Sequence, residues 1–340
     1  MVVKIVCEWE SSDMPTEENR LIKSSVEIAE IDVSRNAFQA FVARISRKEI
    51  RRMGQTVGMV LYFLDVRHRR IVRRNLKFAY PEWNWSKVLR VTRRVFRNFG
   101  ITAMDVIQFS CSTPEEIQAW GLTVEGKENL EYFSNKNGVI LLSAHLGNWE
   151  FSAQYMTGFI RAHFVGVGRK IRFKPFERWI NGLRTRFGGE LIDKKGAMPE
   201  MRKALRQGKV LGVLLDQVGE GATVKFFDRD VKAHAGVTLL ALRSRSPVIP
   251  VFCVRDENGY RIILEPPLDL QRTSDLRSDI HNNTQLMVDA IEKAIRAYPD
   301  QWFWFHKRWK AYYPHLYRED MKRAKRKEDK RLKKMLSTQQ

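Results

Sequence analysis

The stretch Gly138-Val139-Ile140-Leu141-Leu142-Ser143-Ala144-His145-Leu146-Gly147-Asn148-Trp149-Glu150 decides how this chain is read. Gly138 to Ser143 is an apolar run of strand length, and Trp149 to Ile160 has helical spacing. A buried strand, a Gly-Asn turn and then a helix display a side chain at the turn. The side chain displayed is His145, and Glu150 follows five residues later. Inside one helix the two would point about 140° apart. They meet only if His145 lies in the turn and Glu150 in the first helical turn, where the helix dipole favours a carboxylate. An ionised Glu150 bonded to one imidazole nitrogen leaves the other free as a base. The plainer alternative is a core histidine with a capping glutamate.

Outward from this stretch, strands and helices alternate. Phe164–Gly168 reads as a strand ending at Arg169, and 175–187 as a helix carrying Arg184 and Arg186. A short strand at 190–192 and a helix at 198–207 follow, with Gly208 as a stop signal. Val210–Leu215 is an apolar strand ending at Asp216-Gln217, followed by a loop over 218–223. A helix at 236–243, strands at 247–254 and 260–265, and a long helix at 280–298 complete the core. On the N-terminal side, 85–99 and 99–120 read as separate helices, the second broken near Ser112-Thr113-Pro114. The pattern predicts an α/β fold, with a mixed, mostly parallel central sheet flanked by helices.

The formal net charge of +21 over 340 residues implies an anionic partner. Between Arg44 and Arg97 there are 16 Lys and Arg against Glu49, Asp65 and Glu82. Met53, Val57, Val60, Leu61 and Leu64 recur there at helical spacing, so each helix has one greasy and one cationic face. Such helices suit an anionic membrane surface, or else the greasy face packs on the protein's own core. No uncharged apolar run reaches the ~18 residues that span a bilayer, and no signal sequence is read at the N-terminus. Any attachment is therefore expected to be peripheral. The three cysteines and seven histidines lack disulfide or metal spacing, so a reducing compartment, no metal and no cofactor are expected. No nucleic-acid motif accompanies the charge, and no nucleic-acid partner is expected. The domain reading is an extension over 1–35, a single domain over 36–316, and a basic tail over 317–340. Within the domain, 36–110 is expected to face the membrane and 120–310 to be the catalytic core.

The His145-to-Glu150 string resembles the H-x-x-x-x-[D/E] signature of the glycerolipid acyltransferase superfamily. More narrowly, it looks like the bacterial lipid A biosynthesis lauroyl/myristoyl acyltransferases. The resemblance runs from about Met53 to about Lys310. It includes Arg73-Arg74-Asn75-Leu76-Lys77-Phe78-Ala79-Tyr80-Pro81-Glu82, the Arg169 strand end, Arg184-x-Arg186-x-Gly188, Asp216-Gln217, Pro247–Pro250 and the Tyr298-to-Arg308 close. Two features depart from the family pattern. Val224-Lys225-Phe226-Phe227-Asp228 stands where a Pro-Phe-Phe-Gly stretch is usual, and no N-terminal spanning helix is read.

The resemblance implies transfer of a fatty acyl chain from acyl carrier protein to a hydroxyl of a phosphorylated glycolipid, a lipid A precursor. The expected location is the cytoplasmic face of the bacterial inner membrane. Another glycolipid or a lysophospholipid is the alternative acceptor. In that chemistry His145 is the general base, Glu150 orients it, and the substrate hydroxyl is the nucleophile. Backbone N–H groups at Gly147 and Asn148 are candidate oxyanion donors at a helix N-terminus. Arg169, Arg184 and Arg186 are candidate phosphate ligands, each with a surface ion pair as its alternative. Asp216, beside Gln217, is read as a ligand for a substrate hydroxyl, a partner for one of these Arg residues, or a helix cap. Trp302, Phe303, Trp304, Phe305 and Trp309 line an acyl pocket, face lipid, or form plain core.

Overall fold

The computed structural model describes residues 36–318, apart from residues 159, 161, 170 and 258. The expectations for 1–35 and for the tail beyond Arg318 lie outside the described residues. Seven strands form the central sheet in the order β1 (Leu122–Glu125), β9 (Tyr260–Leu264), β8 (Val248–Arg255), β2 (Val139–Ser143), β5 (Val210–Leu214), β3 (Phe164–Gly168), β4 (Glu190–Asp193). Every neighbouring pair is parallel except β8 with β9. The fold is thus the mixed, mostly parallel α/β sheet expected. Strand β2 is central, and Val139 to Leu142 are all buried. Covering both faces of a parallel strand explains its continuous apolar run.

Because β2, β5, β3 and β4 run parallel, their C-terminal ends share one edge of the sheet. The residues that follow those ends, His145, Asp216, Arg169 and Lys194, gather beyond that edge. In open α/β sheets this is where ligands bind.

The helices are α1 (Ala37–Arg44), α2 (Arg47–Leu64), α3 (Val66–Ala79), α4 (Trp85–Cys111), α5 (Pro114–Gln118), α6 (Trp149–Gly158), α7 (Lys174–Thr185), α8 (Met198–Arg206), α9 (Ala235–Ser244) and α10 (Leu276–Ala297). Helix α4 passes straight through Phe99, correcting the expected break there. Its buried positions continue from Val88 to Phe109, and it stops at Ser112, before Pro114. The expected loop at 218–223 instead leads into an antiparallel hairpin, β6 (Gly221–Phe226) and β7 (Arg229–His234). Its two turn residues, Phe227 and Asp228, both have left-handed backbones, with φ of 52° and 58°. Asn-Gly or Asp-Gly is usual in such a turn. Here the turn is held by burial of Phe227 against Tyr80 and Trp304, which local sequence does not signal. Strand β1 was also not anticipated; it is a short edge strand.

Helices α2 and α4 approach closely at Gly54, Gly58 and Gly100. A Cβ on Gly58 would lie 2.2 Å from the Phe96 carbonyl oxygen, and one on Gly100 would lie 2.2 Å from the Gly54 carbonyl oxygen. The buried face of α2 is therefore Ile50, Gly54, Gly58 and Tyr62. That turns Met53, Val57, Val60, Phe63 and Leu64 outward, with Phe63 and Leu64 64% and 75% exposed. Phe38 and Phe41 of α1 are exposed as well. Of the apolar residues singled out in this helix, Leu61 packs against the core and the rest face away from it. Among the described residues no helix is long and apolar enough to cross a membrane.

Asn75 has a structural role. Its amide donates to the carbonyls of Trp304 (2.8 Å) and His306 (2.7 Å), and its oxygen accepts from Tyr317 (2.6 Å). It thereby pins the closing aromatic segment against α3. Gly58→Ala should force α2 and α4 apart and destabilise the fold by about 1–3 kcal/mol. Thermal unfolding checks this, and an unchanged melting temperature would contradict the close-contact account.

Candidate active site

His145 follows β2 in a turn with little conformational freedom. Gly147 has φ +61°, and a Cβ there would lie 1.9 Å from the Cys253 carbonyl oxygen. The closing segment runs antiparallel beside the turn: Gly147 N–H donates to the Gln301 carbonyl (3.0 Å), and Phe303 N–H donates to the His145 carbonyl (2.9 Å). Ser143 is committed to the Val251 carbonyl (2.6 Å), so it offers no free nucleophile.

The carboxylate that holds His145 is Asp216, not Glu150. His145 Nδ1 lies 2.9 Å from Asp216 Oδ1, and the His145 backbone N–H donates to Oδ2 at 2.9 Å. Trp302 Nε1 donates to the same Oδ2 at 2.8 Å. The Asp216 side chain is fully buried. Burial alone would raise its pKa, but the His145 charge and these three hydrogen bonds hold it far below the usual carboxylate range. Asp216 thus holds His145, and it neither pairs with one of the three Arg residues nor caps a helix, as two of its expected roles required.

Glu150 sits in the first turn of α6, as expected, but it faces Arg184. Arg184 Nε donates to Oε2 at 2.9 Å and Nη2 to Oε1, a bidentate pair, while Trp149 Nε1 donates to Oε1 at 3.2 Å. The expected direct Glu150–His145 contact is therefore replaced by two parallel pairs, Asp216–His145 and Glu150–Arg184. Glu150 reaches His145 only through space, as one of the charges raising its pKa. Burial lowers the His145 pKa, but the charge and hydrogen bond of Asp216 outweigh it, and the net shift is upward.

With Nδ1–H given to Asp216, the lone pair of His145 lies on Nε2. The Gln217 amide nitrogen faces it at 3.3 Å and faces His306 Nε2 at 3.0 Å. Burial lowers the His306 pKa to about 4, so His306 is neutral at physiological pH. The His145 side chain keeps 18% of its surface exposed, which leaves a substrate group access to it.

Several expected ligands are occupied elsewhere. Gly147 N–H is taken by Gln301, and Asn148 N–H donates to the Cys253 carbonyl at 2.9 Å, so neither is a free oxyanion donor. The Asn148 side chain is buried; it caps α6 through Phe151 N–H (3.1 Å) and donates to Tyr260 (3.0 Å). Arg186 donates to the carbonyls of Phe109 (2.9 Å) and Ser112 (2.6 Å), bracing the end of α4 away from the crevice. Arg169 is exposed and follows the end of β3. Trp302, Trp304 and Trp309 are buried core, whereas Phe303 packs near His145 and Trp149. Sequence reasoning singled out Trp302 only as a pocket, lipid-facing or core residue and not as a donor to Asp216, and it did not single out His306. The density of aromatics after Tyr298 was their one signal.

Fold and crevice define an α/β enzyme with a buried carboxylate–imidazole pair beyond its strand ends. The model of the bacterial lipid A biosynthesis acyltransferase family matches residues 22–311, and the chain belongs to that family; it is an acyltransferase. It is 24% identical over 277 residues to the lipid A biosynthesis lauroyltransferase of Escherichia coli K12, covering 79% of this chain and 88% of that one. It is 21% identical to the E. coli K12 lipid A biosynthesis palmitoleoyltransferase, covering 76% of this chain and 84% of the other. It is 25% identical to the phosphatidylinositol mannoside acyltransferase of Mycobacterium tuberculosis H37Rv, covering 51% of this chain and 55% of that one.

As Nε2 must be unprotonated to act as a base, kcat/KM should rise with pH through the His145 pKa. Asp216→Asn removes the charge that raises this pKa and leaves the burial that lowers it. The ascending limb should therefore move to lower pH while the plateau falls by roughly 10²–10⁴. A pH–rate profile decides: a limb that stays put would remove Asp216 as the partner of His145.

Proposed function

We propose that this chain moves a fatty acyl group from acyl carrier protein onto a hydroxyl of a lipid A precursor or a related phosphorylated glycolipid. The observation that carries the reading is the Asp216–His145 pair, which leaves Nε2 as the unprotonated nitrogen of a ring that keeps 18% of its surface exposed. The acceptor oxygen attacks the thioester carbonyl as His145 Nε2 takes its proton. The tetrahedral intermediate then collapses, the C–S bond breaks, and the imidazolium returns the proton to the leaving thiolate. At the start of α6, Phe151 N–H is capped by Asn148, whereas Trp149 and Glu150 N–H have no intrahelical acceptor. These two N–H groups are the donors proposed for the oxyanion. Glu150 keeps the Arg184 guanidinium beside the crevice, and the two act as a unit in positioning substrate.

The exposed stripe of α2, with Phe38 and Phe41, supports peripheral attachment to a membrane, here the cytoplasmic face of the inner membrane. Its apolar side chains enter the interface while the flanking Arg residues meet anionic head groups. The mycobacterial relative supports a phosphorylated glycolipid other than lipid A as the second reading of the acceptor. The +21 charge is assigned to an acidic carrier, a phosphorylated acceptor and the membrane rather than to nucleic acid.

His145→Ala should lower thioester-dependent acylation of purified lipid A precursor by about 10²–10⁴. Because it also takes a donor from the buried Asp216, its melting temperature should fall, and activity is compared below the unfolding transition of the variant. Full turnover by this variant would end the mechanism. Val60→Asp with Phe63→Asp should reduce flotation with anionic vesicles at low salt. Because both side chains are exposed, the fold should be unaffected, and equal flotation would return the stripe to an inert surface.

A further inference from the structure

A second cluster of polar groups lies on the same sheet edge, two strands beyond Asp216. Lys194 follows β4 directly, and its N–H donates to the Gly168 carbonyl at the end of β3 (2.7 Å). Its ammonium lies 3.1 Å from His234 Nε2, at the end of β7. The other ring nitrogen, His234 Nδ1, is 3.3 Å from the backbone N–H of Glu220. A neutral imidazole carries one lone pair and one N–H. Two donors, an amide and an ammonium, therefore face a ring that can accept only one of them.

The amide cannot move away. Glu220 is held by the hairpin register, since Gly219 N–H donates to the Lys232 carbonyl and Ala235 N–H donates to the Glu220 carbonyl. The lone pair therefore belongs on Nδ1, and the proton belongs on Nε2. Nε2–H and the Lys194 ammonium then point donor to donor, with no acceptor between them among the described residues.

The surroundings deepen the deficit. Arg169 presses on Lys194, and Arg308 presses on His234. Arg308 is buried, and its Nη1 is given to the Lys232 carbonyl (2.6 Å). Glu220 is the carboxylate whose charge tempers the cluster. Two converging donors backed by guanidinium groups are what a phosphate oxygen requires.

We propose that Lys194 and His234 form a subsite for a substrate phosphate, a phosphate oxygen accepting from both Nζ and Nε2–H. That the phosphate is a substrate's rests on the acyl-transfer reading; that the pair binds phosphate does not. Three strand spacings separate β2 from β4, or roughly 14 Å along the edge. The phosphate bound here is therefore remote from the reacting carbonyl, and it contributes binding energy rather than chemistry. It belongs either to the phosphopantetheine arm of the donor or to the head group of the acceptor.

The test uses the full chain. Titration with inorganic phosphate, followed by ³¹P line broadening, should saturate with wild type and weaken by about tenfold or more in Lys194→Ala. Lys194 is exposed, so this variant should fold. His234→Gln should weaken binding likewise. No saturable binding, or equal binding by wild type and Lys194→Ala, would overturn the subsite. Two kinetic arms then name the source. One compares an acyl-pantetheine thioester with its 4′-phosphorylated form, and the other compares a glycolipid acceptor with its dephosphorylated form. In one arm wild type should show a lower KM for the phosphorylated substrate, and Lys194→Ala should lose that advantage. The same advantage in both proteins, in both arms, would overturn the substrate assignment. If wild type transfers no acyl group at all, the acyltransfer reading fails by itself, and the phosphate titration still decides the subsite.

Discussion

The site depends on one buried carboxylate. Asp216 has no water to solvate it, and an isolated ionised carboxylate in such a place is strongly disfavoured. It persists because three donors converge on it: two from His145 and one from the Trp302 indole. The dependence runs the other way too. Without the Asp216 charge, burial would dominate at His145, and neither its tautomer nor its ring orientation would be fixed. The base and the carboxylate therefore hold each other in place across two neighbouring strands.

This arrangement explains why the chain needs its closing segment. Residues 301–303 run beside the His145 turn, exchange backbone hydrogen bonds with it, and deliver Trp302 to Asp216. Asn75 of α3 grips the same segment from behind through the carbonyls of Trp304 and His306. The N-terminal helices, the central strands and the C-terminal close thus meet at one imidazole. The aromatic density of the close is core packing, with Trp302, Trp304 and Trp309 fully buried and each indole N–H given to an acceptor.

The cations divide by what they touch. Arg186 braces carbonyls at the end of α4, and Arg255 lies buried against Asp105. Arg184 is paired with Glu150 beside the base. Arg169 acts on Lys194, and Lys194 and Arg308 on His234. A net charge of +21 therefore has several separate uses, and composition alone does not say which residue has which.

The sequence by itself determined the sheet, its parallel character and the place of His145. Those features rest on local signals: a continuous apolar run, a Gly-Asn turn and helical periodicity within one short stretch. It also placed Glu150 in the first turn of α6, because that position depends only on spacing. The partner of His145 was not legible. Asp216 lies 71 residues away in the chain and Trp302 farther still, and nothing local signals which strand will lie beside which. The five-residue interval made Glu150 the apparent orienter. Only the adjacency of β2 and β5, set by burial of the whole sheet, brings Asp216 within 2.9 Å and leaves Glu150 to Arg184. The hairpin turn at Phe227-Asp228 was hidden for the same reason, since a left-handed phenylalanine is tolerated only where tertiary packing buries its ring.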